Sequence, residues 1–239
     1  MHVAPPLNRP RPPAPVTRTV ARANARTTTC PSFAPRSRQE AARPVKRLID
    51  FVGASALLVF LLPVFAIVAI AVKLDSDGPV FFGQWRAGRD LRPFRIWKFR
   101  SMRTGAEAER DALVDARGDV QPLFKLADDP RVTRVGRSLR RWSLDELPQL
   151  WNVVRGDMSL VGPRPPLPDE VRADGLRQAL RLRVRPGVTG PWQVGGRSDL
   201  PYREGIARDL AYVRDWSIAG DLGILVRTPW AVLTRRGAW

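Results

Sequence analysis

From Phe51 to Val72 the chain runs for 22 residues without a charged side chain, FVGASALLVFLLPVFAIVAIAV. At ~1.5 Å per residue a helix of that length reaches about 33 Å, enough to cross the hydrocarbon core of a bilayer. Pro63 sits near its middle. A proline there has no N–H to offer the carbonyl of Val59 and crowds it, at a cost of roughly 3 kcal/mol in a continuous helix. The run is therefore predicted to bend. Arg43, Lys46 and Arg47 precede it and Lys73, Arg86 and Arg89 follow it. Basic residues favour the cytoplasm, so both flanks ask for the same side. The expected arrangement over residues 45–73 is a re-entrant helix–break–helix that enters one leaflet and returns. A single span with the amino terminus outside is the competing one.

What precedes this segment has a different character. Residues 1–44 hold nine prolines, many Ala, Thr and Arg, and almost no large apolar side chain. Such a composition cannot offset its ordering entropy by burial and predicts a disordered basic tail. It is not a signal peptide, because no apolar core follows a short basic start. The chain has 40 Lys+Arg against 23 Asp+Glu, a net charge of +17, and residues 1–50 carry nearly half of the excess. A surplus of this kind points to nucleic acid, an anionic membrane surface or a phosphorylated substrate. Nucleic acid fits poorly, since the eight Trp lie outside the basic tail and bases need aromatic platforms. One His and one Cys, His2 and Cys30, both in the tail, allow neither a disulfide within the chain nor a Cys/His zinc site. Catalysis is left to carboxylates, hydroxyls, Lys and Arg.

Beyond the apolar run, residues 74–239 read as one catalytic domain. VFFGQWRAGRDLRPFRIWKFRSM predicts two strands around a basic, Gly-containing tip. In the second strand Phe94, Ile96, Lys98 and Arg100 share a face, with Arg95, Trp97 and Phe99 on the other. Lys98 and Arg100 could form a phosphate grip or could simply guard an edge strand. Residues 104–119 read as a polar helix or loop without evident chemistry.

The densest signal is RVTRVGRSLRRWSLDELPQLWNVVRGDMSLVGPRPPLP, residues 131–168. Leu144, Leu147, Leu150, Trp151 and Val154 recur at helical spacing, so a helix could bury them with Asp145 and Glu146 at its amino-terminal end. Ser143 and Glu146 match a capping box. Pro148 argues against a regular first turn and for a distorted one that leaves the two acids poised. A carboxylate can attack phosphorus when arginines or a divalent metal offset the repulsion, giving an acyl phosphate. Arg140 and Arg164 could supply that neutralisation through their planar forks. In VRPGVTGPWQVGGRS the glycines mark turns beside Arg185 and Arg197, a second candidate anion site.

Together these strings resemble the bacterial sugar transferases, the monotopic polyprenyl-phosphate phosphoglycosyl transferases. The resemblance runs from about Lys46 to Trp239 through KRLIDF, the central proline, KFRSM at 98–102, SLDELPQLWNVVRGDMSLVGPRP at 143–165, RPGVTGPWQV at 185–194 and the closing stretch from Asp221. It implies a helix-rich α+β fold on the membrane segment broken at Pro63, at the cytoplasmic face of the bacterial inner membrane. It implies transfer of a sugar-1-phosphate from a UDP-sugar to undecaprenyl phosphate, with UMP released. Asp145 would be the nucleophile and a ligand of Mg2+, and Glu146 its partner acid. Arg140 and Arg164 match positions that contact phosphate or nucleotide; Lys98, Arg100 and Arg185 are further substrate-binding candidates. Leu62 stands before Pro63 where some members have Ser, and the basic tail has no counterpart. A non-catalytic scaffold in polysaccharide assembly is the alternative function. The terminal segment DLGILVRTPWAVL suits a homodimer contact. The sugar itself is not written in any motif.

Overall fold

The computed structural model describes residues 37–106, 109, 129–234 and 237. Most of the expected tail, with His2 and Cys30, and most of the polar segment at 104–119 lie outside the described residues. The apolar run forms two helices, α1 (Ser37–Phe60) and α2 (Leu62–Asp75), bent by 61° across Leu61. Helix α1 starts earlier than the sequence suggests, so residues 37–44 are helical and not part of an irregular tail. The turn falls at Leu61, whose N–H still bonds to Leu57 and whose carbonyl accepts from Phe65, each at 2.9 Å. Pro63 then occupies the first turn of α2, where a missing N–H has no intrahelical partner to lose. Among the described residues no single helix is long and apolar enough to cross a membrane; the bent pair together is.

Two strands follow, β1 (Phe81–Ala87) and β2 (Pro93–Phe99), paired antiparallel with Phe81 opposite Phe99 and Ala87 opposite Pro93. Their alternation serves two separate cores. Phe94 and Ile96 pack with Ala54 of α1 and with Leu150, Val153, Met158 and Leu160. Phe99, on the opposite face, packs with Val68 and Val72 of α2 and with Leu139. Strand β2 thus sits between the arms of the bent pair. Its outer edge is closed by one side chain: buried Asn152 accepts from the Trp97 N–H at 3.0 Å and donates to the Arg95 carbonyl at 2.8 Å.

Helices α3 (Arg134–Arg141) and α4 (Gln149–Arg155) flank a 3-10 turn over Leu144–Glu146. Gly136 of α3 lies so close to the Ser101 carbonyl that a Cβ would collide with backbone. Helix α4 ends at Gly156 with φ of 93°, a left-handed cap that suits glycine. A parallel pair, β3 (Ser159–Val161) and β4 (Gly187–Thr189), lies behind. The remaining helices are α5 (Pro168–Ala173), α6 (Gly175–Arg181), α7 (Pro191–Val194), α8 (Tyr202–Asp215) and α9 (Ile218–Leu233). Among the described residues the architecture is helix-rich α+β, as the resemblance implies, with two small sheets. Helix α9 leaves Leu222, Val226, Trp230 and Leu233 exposed at helical spacing.

Both ends of the bent pair are tied to this same domain. Near the start, Lys46 bonds to Asp221 at 2.6 Å and to the Val161 carbonyl at 3.1 Å. Asp50 accepts from Ser159 Oγ and Leu160 N–H at 3.0 Å each. Arg47 caps the carbonyls of Val153 and Val154, the last turn of α4, at 2.6 and 2.8 Å. At the far end Arg100 donates to the carbonyls of Val72, Ser76 and Asp77. Deeper in the domain the Arg181 and Asp209 side chains, both fully buried, form an ion pair at 2.5 Å. Removing one partner of such a pair strands the other charge, so Arg181→Met is expected to destabilise the protein by about 3–5 kcal/mol in denaturant titrations in detergent.

Candidate active site

The acid pair is placed by an unusual start to α4. Ser143 adopts a left-handed conformation with φ of 56°, the 3-10 turn Leu144–Glu146 follows, and Pro148 stands at the N-cap of α4. The capping box suggested by the sequence does not form. Ser143 makes no side-chain cap bond; its Oγ instead accepts from Arg197 Nη1 at 3.0 Å. Glu146 Oε1 meets Lys98 Nζ at 2.6 Å. The distorted turn expected from Pro148 is present, and it buries Asp145 while Glu146 stays partly exposed. Of the apolar residues expected to be covered by α4, Trp151 remains half exposed.

Burial pushes the Asp145 carboxyl above the usual carboxylate range; the Lys98 ammonium pulls it down, and the Glu146 charge adds to the rise. Arg140, at the end of α3, feels the charges of Asp145 and Glu146, and its own burial lowers its guanidinium. Its side chain makes one hydrogen bond among the described residues, Nε to Ser101 Oγ at 3.0 Å. Its two terminal nitrogens make no hydrogen bond among the described residues. Arg164 lies close enough to feel Glu146, but its fork is held by both oxygens of buried Glu170 at 2.9–3.2 Å and lies over the Trp192 ring. Its N–H donates to Asp209. Arg164 therefore reaches the site with its charge partly neutralised.

Two sequence candidates sit elsewhere. Arg100 shares a strand face with Lys98, yet its buried guanidinium is committed to the carboxyl end of α2, so the two cations do not form one grip. Carbonyls without intrahelical partners are strong acceptors for such a donor. Arg185 donates Nε to the Gly156 carbonyl at 2.8 Å, beside Arg47 and Arg89. That places it at the end of α4 away from the acid pair, a helix of seven residues, about 10 Å. Arg185 and Arg197 likewise do not make a common anion site. Sequence reasoning passed over Ser101, Asn152, Glu170 and Trp192; the first two and Trp192 lie in strings singled out above but act through partners distant in the chain, whereas Glu170 lies outside those strings and meets the nearby Arg164.

Among the described residues no three Asp, Glu, His or Cys side chains converge as a metal cage. Two adjacent carboxylates nevertheless suit Mg2+, which takes one or two protein oxygens and completes its shell with water and substrate phosphate. The residues present fit that ion.

A profile of the bacterial sugar transferase family matches residues 41–235. The chain belongs to this family. It is 40% identical over 222 residues to the exopolysaccharide production protein ExoY of Rhizobium meliloti, covering 90% of this chain and 98% of that one. It is 42% identical over 205 residues to the UDP-galactose-lipid carrier transferase of Erwinia amylovora, covering 84% of this chain and 43% of that one. To the UDP-glucose:undecaprenyl-phosphate glucose-1-phosphate transferase of Escherichia coli it is 40% identical over 207 residues, 82% of this chain and 42% of that one. The chain thus spans less than half the length of two of these three relatives.

If ionised Asp145 is required, activity falls on acidification through its raised pKa. The acid limb of the activity profile should then be centred above the usual carboxylate range. Lys98→Met removes the main lowering influence and should move that midpoint up. A raised carboxyl pKa also means stability lost as pH rises through it, so Asp145→Asn should melt at a higher temperature than wild type at neutral pH and lose that advantage in acid.

Proposed function

We propose that this chain transfers a sugar-1-phosphate from a UDP-sugar to undecaprenyl phosphate for exopolysaccharide synthesis, through a phosphosugar–Asp145 intermediate. The observation that carries the reading is a buried, high-pKa Asp145 beside the Lys98–Glu146 pair and the open fork of Arg140. A buried carboxylate is poorly solvated, which raises its basicity and reduces the water that must be stripped from it before it meets phosphorus. Arg140 takes oxygens of the donor diphosphate and spreads the charge that develops in transfer.

In the first step an Asp145 oxygen forms a bond to the sugar-bearing phosphorus, and the bond from that phosphorus to the bridging oxygen breaks. UMP leaves with that oxygen. In the second step an oxygen of undecaprenyl phosphate bonds to the same phosphorus and Asp145 is released as carboxylate. Glu146, held by Lys98, receives the acceptor's proton if it carries one. Mg2+ on the Asp145 side, when bound, would neutralise phosphate oxygens and lower the repulsion that Asp145 meets. Two half-reactions through one residue give ping-pong kinetics.

The tethering of both ends of the bent pair to one domain supports the re-entrant arrangement over a single span, because one packed domain cannot lie on both sides of a bilayer. The catalytic turn then sits at headgroup depth, where a water-soluble donor and a lipid-borne phosphate meet. The exposed stripe of α9 fits contact with the same surface. The flanking Lys and Arg favour the cytoplasmic face of the inner membrane.

Detergent-purified protein should release UMP from one or more UDP-sugars in the presence of Mg2+ and undecaprenyl phosphate. Asp145→Asn should lose ~10³-fold or more of that rate. Full activity in this variant overturns the covalent route, and absence of turnover with every donor by folded wild type overturns the assignment. For topology, a reporter fused at residue 1 is expected on the cytoplasmic side, and periplasmic signal would establish the single span.

A further inference from the structure

Four non-glycine residues among those described have positive φ: Asp90 and Leu91 at the β1–β2 tip, Ser143 at 56° and Arg197 at 53°. The last two are 54 residues apart in the chain and hydrogen-bonded to each other, Arg197 Nη1 to Ser143 Oγ at 3.0 Å. Left-handed backbone is unfavourable for side chains with a Cβ and persists where surroundings over-determine it. Each member of this pair has such surroundings. Ser143 closes α3 with its N–H on the Arg140 carbonyl and opens the 3-10 turn with its own carbonyl on the Glu146 N–H. It is the pivot between Arg140 and the acid pair. Arg197 is held through its carbonyl by the buried Trp192 indole N–H at 2.9 Å. Trp192 lies in turn against the guanidinium groups of Arg164 and Arg181.

We propose that Arg197 is a positioning residue for the transfer: its guanidinium keeps Ser143 left-handed and thereby fixes the placement of the Asp145 turn relative to Arg140. The inference rests on the reading in which Asp145 is the nucleophile. Without the hydrogen bond, Ser143 can relax toward an ordinary backbone region, and a rotation there swings the acid turn relative to α3. Arg197 need not touch the donor for this.

The consequence is a specific suppression. Glycine adopts left-handed backbone freely, so Ser143→Gly should relieve the need for Arg197. With the UDP-sugar that wild type turns over, Arg197→Gln is expected to slow the UMP burst about tenfold while donor KM stays within twofold. Arg197→Lys, which can still donate to Ser143, should retain more of the rate. Adding Ser143→Gly to Arg197→Gln should restore most of the loss, and adding Ser143→Ala should not. Thermal unfolding is followed alongside, because a merely structural defect would lower the melting temperature without this pattern. A burst within twofold of wild type in folded Arg197→Gln, with Asp145→Asn inactive, overturns the inference and leaves the catalytic reading standing. A loss confined to KM that glycine does not rescue also overturns it, by making Arg197 a donor ligand. Activity in Asp145→Asn would instead remove the reading on which it rests. If Arg197→Gln does not fold, the single variants decide: Ser143→Ala should lose more rate than Ser143→Gly, and equal rates overturn the proposal.

Discussion

Lys46 and Asp50, one helical turn apart on α1, reach into the domain and are met there by Asp221, the Val161 carbonyl, Ser159 and the Leu160 N–H. Arg47 between them closes the last turn of α4. Burying charges is costly unless each is paired and hydrogen-bonded, and this group meets the condition with partners from α1, α4, β3 and α9. Tyr212 and Trp216 complete it through Asp221, at 2.7 and 3.0 Å. The apolar helix is thus fixed in direction where it leaves the domain. Because Arg47 holds one end of α4 and the acid turn lies at the other, the same contacts set the position of Asp145 relative to the bent apolar pair.

The second half of the domain is ordered around Trp192. Two guanidinium groups lie against its ring, at 5.4 and 5.5 Å from the centroid, and each is paired with a buried acid, Glu170 or Asp209. Two cations and two anions in so small a volume balance in charge, while Asp209 bridges them by accepting from the Arg164 N–H and from Arg181. This is why the arginine of GPRP is stiffly held. It also explains why its charge reaches the active site in diminished form.

Features written locally were legible in the sequence. The length of the uncharged run and the proline inside it specify a bent apolar pair, because helix rise and the missing N–H act within a few residues. Pro148 made the irregular turn at Asp145 readable for the same reason, and alternation along Phe94–Phe99 made the two-faced strand readable. What could not be read was the destination of each arginine. Arg100, Arg164, Arg185 and Arg197 all look like phosphate ligands in a chain with so basic a balance. Their actual partners are the end of α2, Glu170, the end of α4 and Ser143, and three of these lie more than 20 residues away. A carbonyl at a helix end has no sequence signature, so a donor committed to one cannot be told from a free one. Ser143 failed as a cap for a related reason: its hydroxyl had a stronger claim from a loop that only the fold brings near.

The single amide of Asn152 has a consequence for the β1–β2 ribbon. Two-stranded ribbons in water are marginal and present an edge to which another chain can add. Here one side chain supplies to β2 the acceptor and the donor that a third strand would have brought. A primary amide does both at once, from two separate atoms. An isosteric carboxylate would set an anion against the Arg95 carbonyl, and a leucine would leave the Trp97 N–H and that carbonyl to seek a partner from another molecule. The ribbon that carries Lys98 to the active site is in this sense a three-stranded sheet whose last strand is one residue long.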